Sequence, residues 1–174
     1  MANALDLHDY IRDIADFPKP GILFKDITPL LAEPRAFRQV IDQLAEHFSG
    51  RGIDTIAAAE ARGFLFGTPL ALALNLAFVP IRKPGKLPYK KIWQEYQLEY
   101  GTDRLEMHDD ALGPGRRVLL LDDVLATGGT IRACRDLVAK TGAEVVACAF
   151  VIELGFLGGR KGLEPGEVYS VLKY

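Results

Sequence analysis

The sequence predicts an α/β fold in which a central, mostly parallel sheet is flanked by helices. Three observations carry that expectation. Short apolar runs alternate with helical stretches from residue 55 onward, the pattern of a parallel sheet with helices on its faces. The run 118–121 reads as a buried strand that ends in acids, a glycine turn and a helix start. A second strand-to-helix junction of the same design stands at 58–67. The chain has 174 residues, 49% of them hydrophobic, which is enough for one well-packed core and too little for two ordinary domains.

The elements follow in chain order. Leu7, Tyr10, Ile11 and Ile14 fall on one helical face, with Asp6 placed as N-cap and Pro18 ending the pattern, so a short amphipathic helix is expected. After Pro34, the residues Phe37, Val40, Ile41, Leu44 and Phe48 repeat the helical spacing, and Gly50 lies near the expected end of a second helix. Then come a strand at 55–59, a helix at 64–74, strands at 77–82 and 118–121, a helix at 130–140 and a strand at 145–152. In the polar insertion 83–110, the stretches 93–100 and 104–108 flank Gly101-Thr102 as a β-hairpin, preceded by the loop 83–88. Such an insertion at the end of a parallel strand is placed to act as a lid.

Composition excludes several classes. A formal net charge of −2 gives no general footprint for nucleic acid, although Lys83, Lys86, Lys90 and Lys91 suit a small anion. The longest apolar run, 70–81, is interrupted by Asn75 and Pro80 and is far short of the ~20 residues that a membrane helix needs. No basic start followed by an apolar stretch opens the chain, so a cytoplasmic location is expected. Cys134 and Cys148 lack metal-ligand spacing and read as ordinary buried thiols.

The run 118–130, VLLLDDVLATGGT, bears most of the chemistry. Ligands of open α/β sheets bind beyond the carboxyl ends of strands, and a helix N-terminus offers N–H groups and partial positive charge to a phosphate. Gly128 and Gly129 let the backbone approach that phosphate, while Thr127 and Thr130 add hydroxyl donors. Asp122 and Asp123 would repel a bare phosphate, so the ligand must also carry hydroxyls to donate to them. A ribose 5-phosphate does both. No lysine follows the glycines as a Walker loop requires, and Gly-x-Gly-x-x-Gly is absent.

This motif resembles the phosphoribosyl pyrophosphate (PRPP) signature of the type I phosphoribosyltransferases. The resemblance implies that Asp122 and Asp123 hold the ribose hydroxyls and that Ala126, Thr127, Gly128, Gly129 and Thr130 hold the 5-phosphate. It also implies the type I phosphoribosyltransferase fold, here as a single domain over 1–174, with a small N-terminal hood at about 1–33 and a β-hairpin lid at about 83–110.

The run 17–31, FPKPGILFKDITPLL, resembles the hood of the adenine phosphoribosyltransferases within that family. Chemistry alone leaves Phe24 either stacked on a flat base or packed in the core. The resemblance implies that adenine lies between Phe24 and Leu157, with Leu154 and Phe156 competing for the second place, and that main-chain groups at Leu23 and Lys25 read its edge. The run 58–67, AAEARGFLFG, resembles the pyrophosphate loop and nominates Glu60, Ala61, Arg62 and Gly63; the alanines before Glu60 depart mildly from the pattern. The run 82–88 adds Arg82, Lys83 and Lys86 to the pyrophosphate site, with Arg82 matching an arginine that acts across a dimer interface. In 98–101, LEYG, Glu99 matches the catalytic acid–base, either transferring the proton or orienting the base, and Tyr100 belongs to the lid. The stretch 89–96 departs most, notably at Trp93.

The match spans nearly the whole chain. It implies purine salvage: PRPP and adenine give AMP and pyrophosphate, with Mg²⁺ carried mainly by PRPP or pyrophosphate and no dedicated protein metal site. A homodimer is implied, with no nucleic-acid or membrane partner. Transfer to another base, or a PRPP-sensing regulator, are the rival readings.

Overall fold

The computed structural model describes residues 4–97, 101–164 and 166–174, and the chain forms two compact units, Met1–Gln43 and Leu44–Tyr174.

In the first unit, strands β1 (Arg12–Ala15) and β2 (Leu23–Asp26) pair antiparallel, with Ile14 opposite Phe24. Helix α1 (Thr28–Ala32) follows, and then α2 (Pro34–Phe48), which continues into the second unit. The helix expected over Leu7–Ile14 is not formed. Leu7–Tyr10 makes a short 3-10 turn, capped by Asp6 Oδ1 accepting from the His8 N–H at 3.0 Å. Of the four apolar residues on the expected face only Leu7 is buried, and the backbone of 12–15 gains cross-strand partners instead. Lys25 Nζ lies 2.6 Å from Asp13 Oδ1 across this ribbon. The α2 expectation holds, since Val40, Ile41, Leu44 and Phe48 are buried at helical spacing.

The second unit is built on a five-stranded parallel sheet in the order β4-β3-β7-β8-β9. These are β3 (Thr55–Ala59), β4 (Ala77–Ile81), β7 (Arg117–Leu125), β8 (Glu144–Glu153) and β9 (Glu167–Lys173), with α3 (Arg62–Leu74) and α4 (Gly129–Ala139) between strands. Strand β3 is buried throughout and β7 and β8 over most of their length because both sheet faces are covered, which is why their cores are continuous apolar runs. Close approach of α3 to the sheet rests on Gly67, where a Cβ would stand 2.8 Å from the Phe78 ring and 3.1 Å from the Ala58 Cβ. Helix α4 buries Ile131, Cys134, Leu137 and Val138. Cys134 and Cys148 are unbridged, and burial pushes both thiols up, Cys148 to about 11.

Strands β5 (Lys91–Gln97) and β6 (Thr102–His108) pair antiparallel as the expected hairpin does, in register from Lys91↔His108 to Gln97↔Thr102. Both begin two residues earlier than expected, so Thr102 lies in a strand and not in the turn, and residues 98–100 of the expected first strand lie outside the described residues. It is tied to the end of β4 by an antiparallel bridge between Arg82 and Glu106. Among the described residues, no helix is long and apolar enough to cross a membrane.

Candidate active site

Strand β7 runs further than its apolar core suggests. Val118–Leu121 is fully buried, and the strand then carries Asp122 and Asp123 within it, not at its end. Asp123 is 3% exposed, and its N–H donates to Asp122 Oδ1 at 2.9 Å. Burial raises both carboxyls above their ordinary range; the charge of Asp123 raises Asp122 further, while Arg62 moderates Asp123. Asp123 Oδ2 is buried without a hydrogen bond among the described residues, although Arg62 Nε lies 2.9 Å away. This is an ion pair at close range whose N–H is not aimed at the oxygen. It leaves the carboxylate able to accept from a hydroxyl.

Beyond β7 the chain turns through Gly128, at φ +80°, into α4, one residue earlier than the helix start expected at Thr130. An open cleft is lined by Asp122, by residues 124–131 and by Phe150, so the expected phosphate loop and the first of the two acids share one surface. A helix leaves the N–H groups of its first turn without intrahelical partners, and here that turn lines the cleft. The loop is braced from behind by residues that carried no sequence signal. Arg132 Nη1 donates to the Thr127 carbonyl at 3.0 Å. Gly159 packs so closely that a Cβ on it would collide with the Ala126 carbonyl and reach 3.0 Å from the Gly128 nitrogen.

The second junction lies beside the first in the sheet. After β3 come Glu60 and Ala61, joined by a cis peptide, and α3 begins at Arg62. Gly63 lets α3 sit on β7, where a Cβ would be 3.1 Å from the Leu121 carbonyl. Glu60 Oε2 accepts from Arg82 Nε at 2.6 Å, and Arg62 crosses to Asp123. Arg82 Nη1 also reaches the Lys86 carbonyl at 3.3 Å, while the Lys86 side chain is exposed. Lys83 Nζ pairs with Asp103 and donates to the Tyr96 hydroxyl at 2.9 Å. Burial opposes charge on Lys83, but these two hydrogen bonds outweigh it and raise its pKa. The basic loop is thus fastened to the hairpin, a contact that spacing did not reveal.

Leu157 closes a 3-10 turn, Gly155–Leu157; it is 42% exposed and Phe156 is 76% exposed. Glu153 anchors the segment that follows. It accepts from Arg160 Nε at 2.8 Å and Arg160 Nη2 at 2.5 Å, and from the Ser170 hydroxyl at 2.7 Å. The Arg160 bonds hold the Glu153 carboxyl below its usual range. In the first unit, Leu23 is 48% exposed and Phe24 is half-buried, edge-to-face with Phe17 at 5.1 Å. Glu99 and Tyr100 lie outside the described residues.

Residues 26–171 match the phosphoribosyl transferase domain family. The adenine phosphoribosyltransferase of Maridesulfovibrio salexigens is 58% identical, over 97% of this chain and 99% of its own. The solved adenine phosphoribosyltransferase of Thermoanaerobacter pseudethanolicus superposes with a TM-score of 0.95 at 53% identity, covering 97% of this chain and 98% of that one. The Saccharomyces cerevisiae enzyme, solved with an imino-altritol bisphosphate and adenine, gives a TM-score of 0.90 at 40% identity over 95% of this chain and 96% of that one. On a family match over residues 26–171 and relatives this similar over nearly its whole length, this chain belongs to the adenine phosphoribosyltransferases of the phosphoribosyltransferase family.

Proposed function

We propose that the chain transfers the 5-phosphoribosyl group of PRPP to adenine, forming AMP and pyrophosphate in purine salvage. The observation that carries this reading is one continuous arrangement: the cleft of Asp122 and the glycine turn joins, through Asp123 and Arg62, the junction at Glu60–Gly63. A 5-phosphate, a ribose and a pyrophosphate require such an order of groups. Ala126–Thr130 takes the 5-phosphate, and Asp122 and Asp123 accept from the ribose hydroxyls. Ala61, Arg62 and Gly63, with Arg82, Lys83 and Lys86, steady the charge that grows on the leaving pyrophosphate. Glu60 supports this group by holding Arg82. Adenine is taken by Leu23, Phe24, Lys25 and Leu157, and Glu99, with Tyr100 beside it, serves proton transfer or orientation at the base.

Mg²⁺ would suit the acidic pair, because a cation carried in with PRPP would offset the repulsion between two adjacent carboxyls, one with an oxygen that makes no hydrogen bond among the described residues. When bound with PRPP it supplies positive charge against the leaving group. We place the enzyme in the cytoplasm as a homodimer, with Arg82 acting across the subunit interface. The test is direct: purified chain, PRPP, Mg²⁺ and adenine should yield AMP and pyrophosphate in equal amounts. Binding of PRPP without turnover would favour a regulator instead.

A further inference from the structure

Glu106 is an acidic residue, 1% exposed, and outside every group assigned above to binding or chemistry. A buried carboxylate is costly unless its oxygens are paired. Here they are paired from several directions at once. Oε1 accepts from Arg104 Nη2 at 2.8 Å. Oε2 accepts from the Gly85 N–H at 3.2 Å and lies 3.4 Å from Lys91 Nζ, which also reaches the Leu87 carbonyl at 3.4 Å. The backbone of the same residue exchanges two hydrogen bonds with Arg82: Arg82 N–H to the Glu106 carbonyl at 2.8 Å and Glu106 N–H to the Arg82 carbonyl at 2.7 Å.

These contacts converge on one segment. Arg82 and Gly85 belong to the loop 82–88, and Leu87, itself buried, is held there through Lys91. Gly85 has φ +77°, a Cβ on it would meet nothing within 4 Å, and its N–H is held by the Glu106 carboxylate. The loop carries three cationic side chains, Arg82, Lys83 and Lys86. Left to itself, such a run spreads because like charges repel.

We propose that Glu106 is a positioning residue that holds the loop 82–88 ready for the pyrophosphate group of PRPP. It does so by fixing the loop backbone at two points, Arg82 and Gly85, and by absorbing the charge of Arg104 and Lys91 away from it. Glu106 never touches the substrate. Preorganised donors need no rearrangement when charge develops, so the effect falls on the pyrophosphate end of the substrate and spares the base. This assignment rests on the phosphoribosyl-transfer reading.

The test uses Glu106→Gln, which keeps the side chain's shape and one acceptor for Gly85 but removes the charge. KM for PRPP in the forward reaction and for pyrophosphate in the reverse reaction should each rise ~10-fold, while KM for adenine changes less than about twofold. Glu106→Asp, with the charge retained, should recover part of the loss. Should Glu106→Gln fail to fold, Arg104→Gln removes the partner of Oε1 from a half-exposed position and should shift the same two constants in the same direction. Equal losses for PRPP and adenine, or unchanged PRPP and pyrophosphate constants in a folded variant, would overturn the assignment. Wild-type turnover in the same assay separates the two layers. An inactive wild type would contradict the reaction itself and this assignment with it, whereas an active wild type with an unmoved variant contradicts Glu106 alone.

Discussion

Arg62 Nε stands 2.9 Å from Asp123 Oδ2, so the first residue of α3 and an acid within β7 share one ion pair. That contact joins the two strand-to-helix junctions into one surface. It also leaves Asp122 as the carboxyl with the less favourable environment, since burial and the charge of Asp123 both raise it and Arg62 relieves it least, whereas Arg62 is the foremost influence that lowers Asp123.

Asp122→Asn should therefore stabilise the ligand-free protein and weaken PRPP. A carboxyl whose folded pKa is raised above 3.8 binds more protons in the native state than in the unfolded chain, so its contribution falls as pH rises from the unfolded value through the raised one. As that contribution falls with rising pH, the asparagine variant should melt roughly 3 °C higher at about pH 8, about 1 kcal/mol, with PRPP affinity down ~10-fold or more. Melting temperatures from roughly pH 4 to pH 8 should show the gap between the proteins widening with pH. A variant less stable than wild type at neutral pH would mean that Asp122 is a structural acid.

Gly128 and Gly129 should respond differently to the same substitution. Gly128 sits at φ +80°, and a Cβ there would meet Arg132 Nη1 and the Gly159 carbonyl at 2.9 Å, so Gly128→Ala should cost about 1–2 kcal/mol or more and abolish PRPP binding. A Cβ at Gly129 meets nothing closer than 3.7 Å. Gly129→Ala should leave stability within roughly 0.5 kcal/mol while still obstructing the phosphate. Calorimetric titration with PRPP beside thermal melts decides it, and undiminished affinity in either folded variant would remove the turn from the phosphate site.

Much of this arrangement is legible in the chain because its physical causes are local. Continuous apolar runs mark strands covered on both faces, and acids followed by glycines mark where β7 gives way to α4. What spacing could not show depends on partners distant in sequence. The turn at Leu7–Tyr10 looked helical because its apolar residues fit that period, but β1 takes its shape from pairing with β2. Strand β9 escaped notice since its short, charge-ended run EVYSVLK gains strand character only against β8. Likewise Arg132, Gly159 and Glu106 look like ordinary surface or strand residues until the fold brings them against the two loops.

Glu99 is expected to act on the base and not on PRPP. Glu99→Leu should lower kcat by ~10²–10⁴-fold, the range for a positioned proton donor or acceptor, with PRPP affinity little changed. Steady-state rates paired with direct PRPP binding separate this from a lid defect. Near-normal kcat would take Glu99 out of the mechanism, and a parallel loss of PRPP binding would make it a lid residue.

The central claim, phosphoribosyl transfer to adenine, is tested most directly by a base panel. The purified protein is given PRPP and Mg²⁺ with adenine, hypoxanthine, guanine, xanthine or orotate, and nucleotide formation is followed for each. Adenine should show by far the highest kcat/KM, with AMP and pyrophosphate appearing together. Faster transfer to any of the other bases, or no nucleotide from adenine, would contradict it.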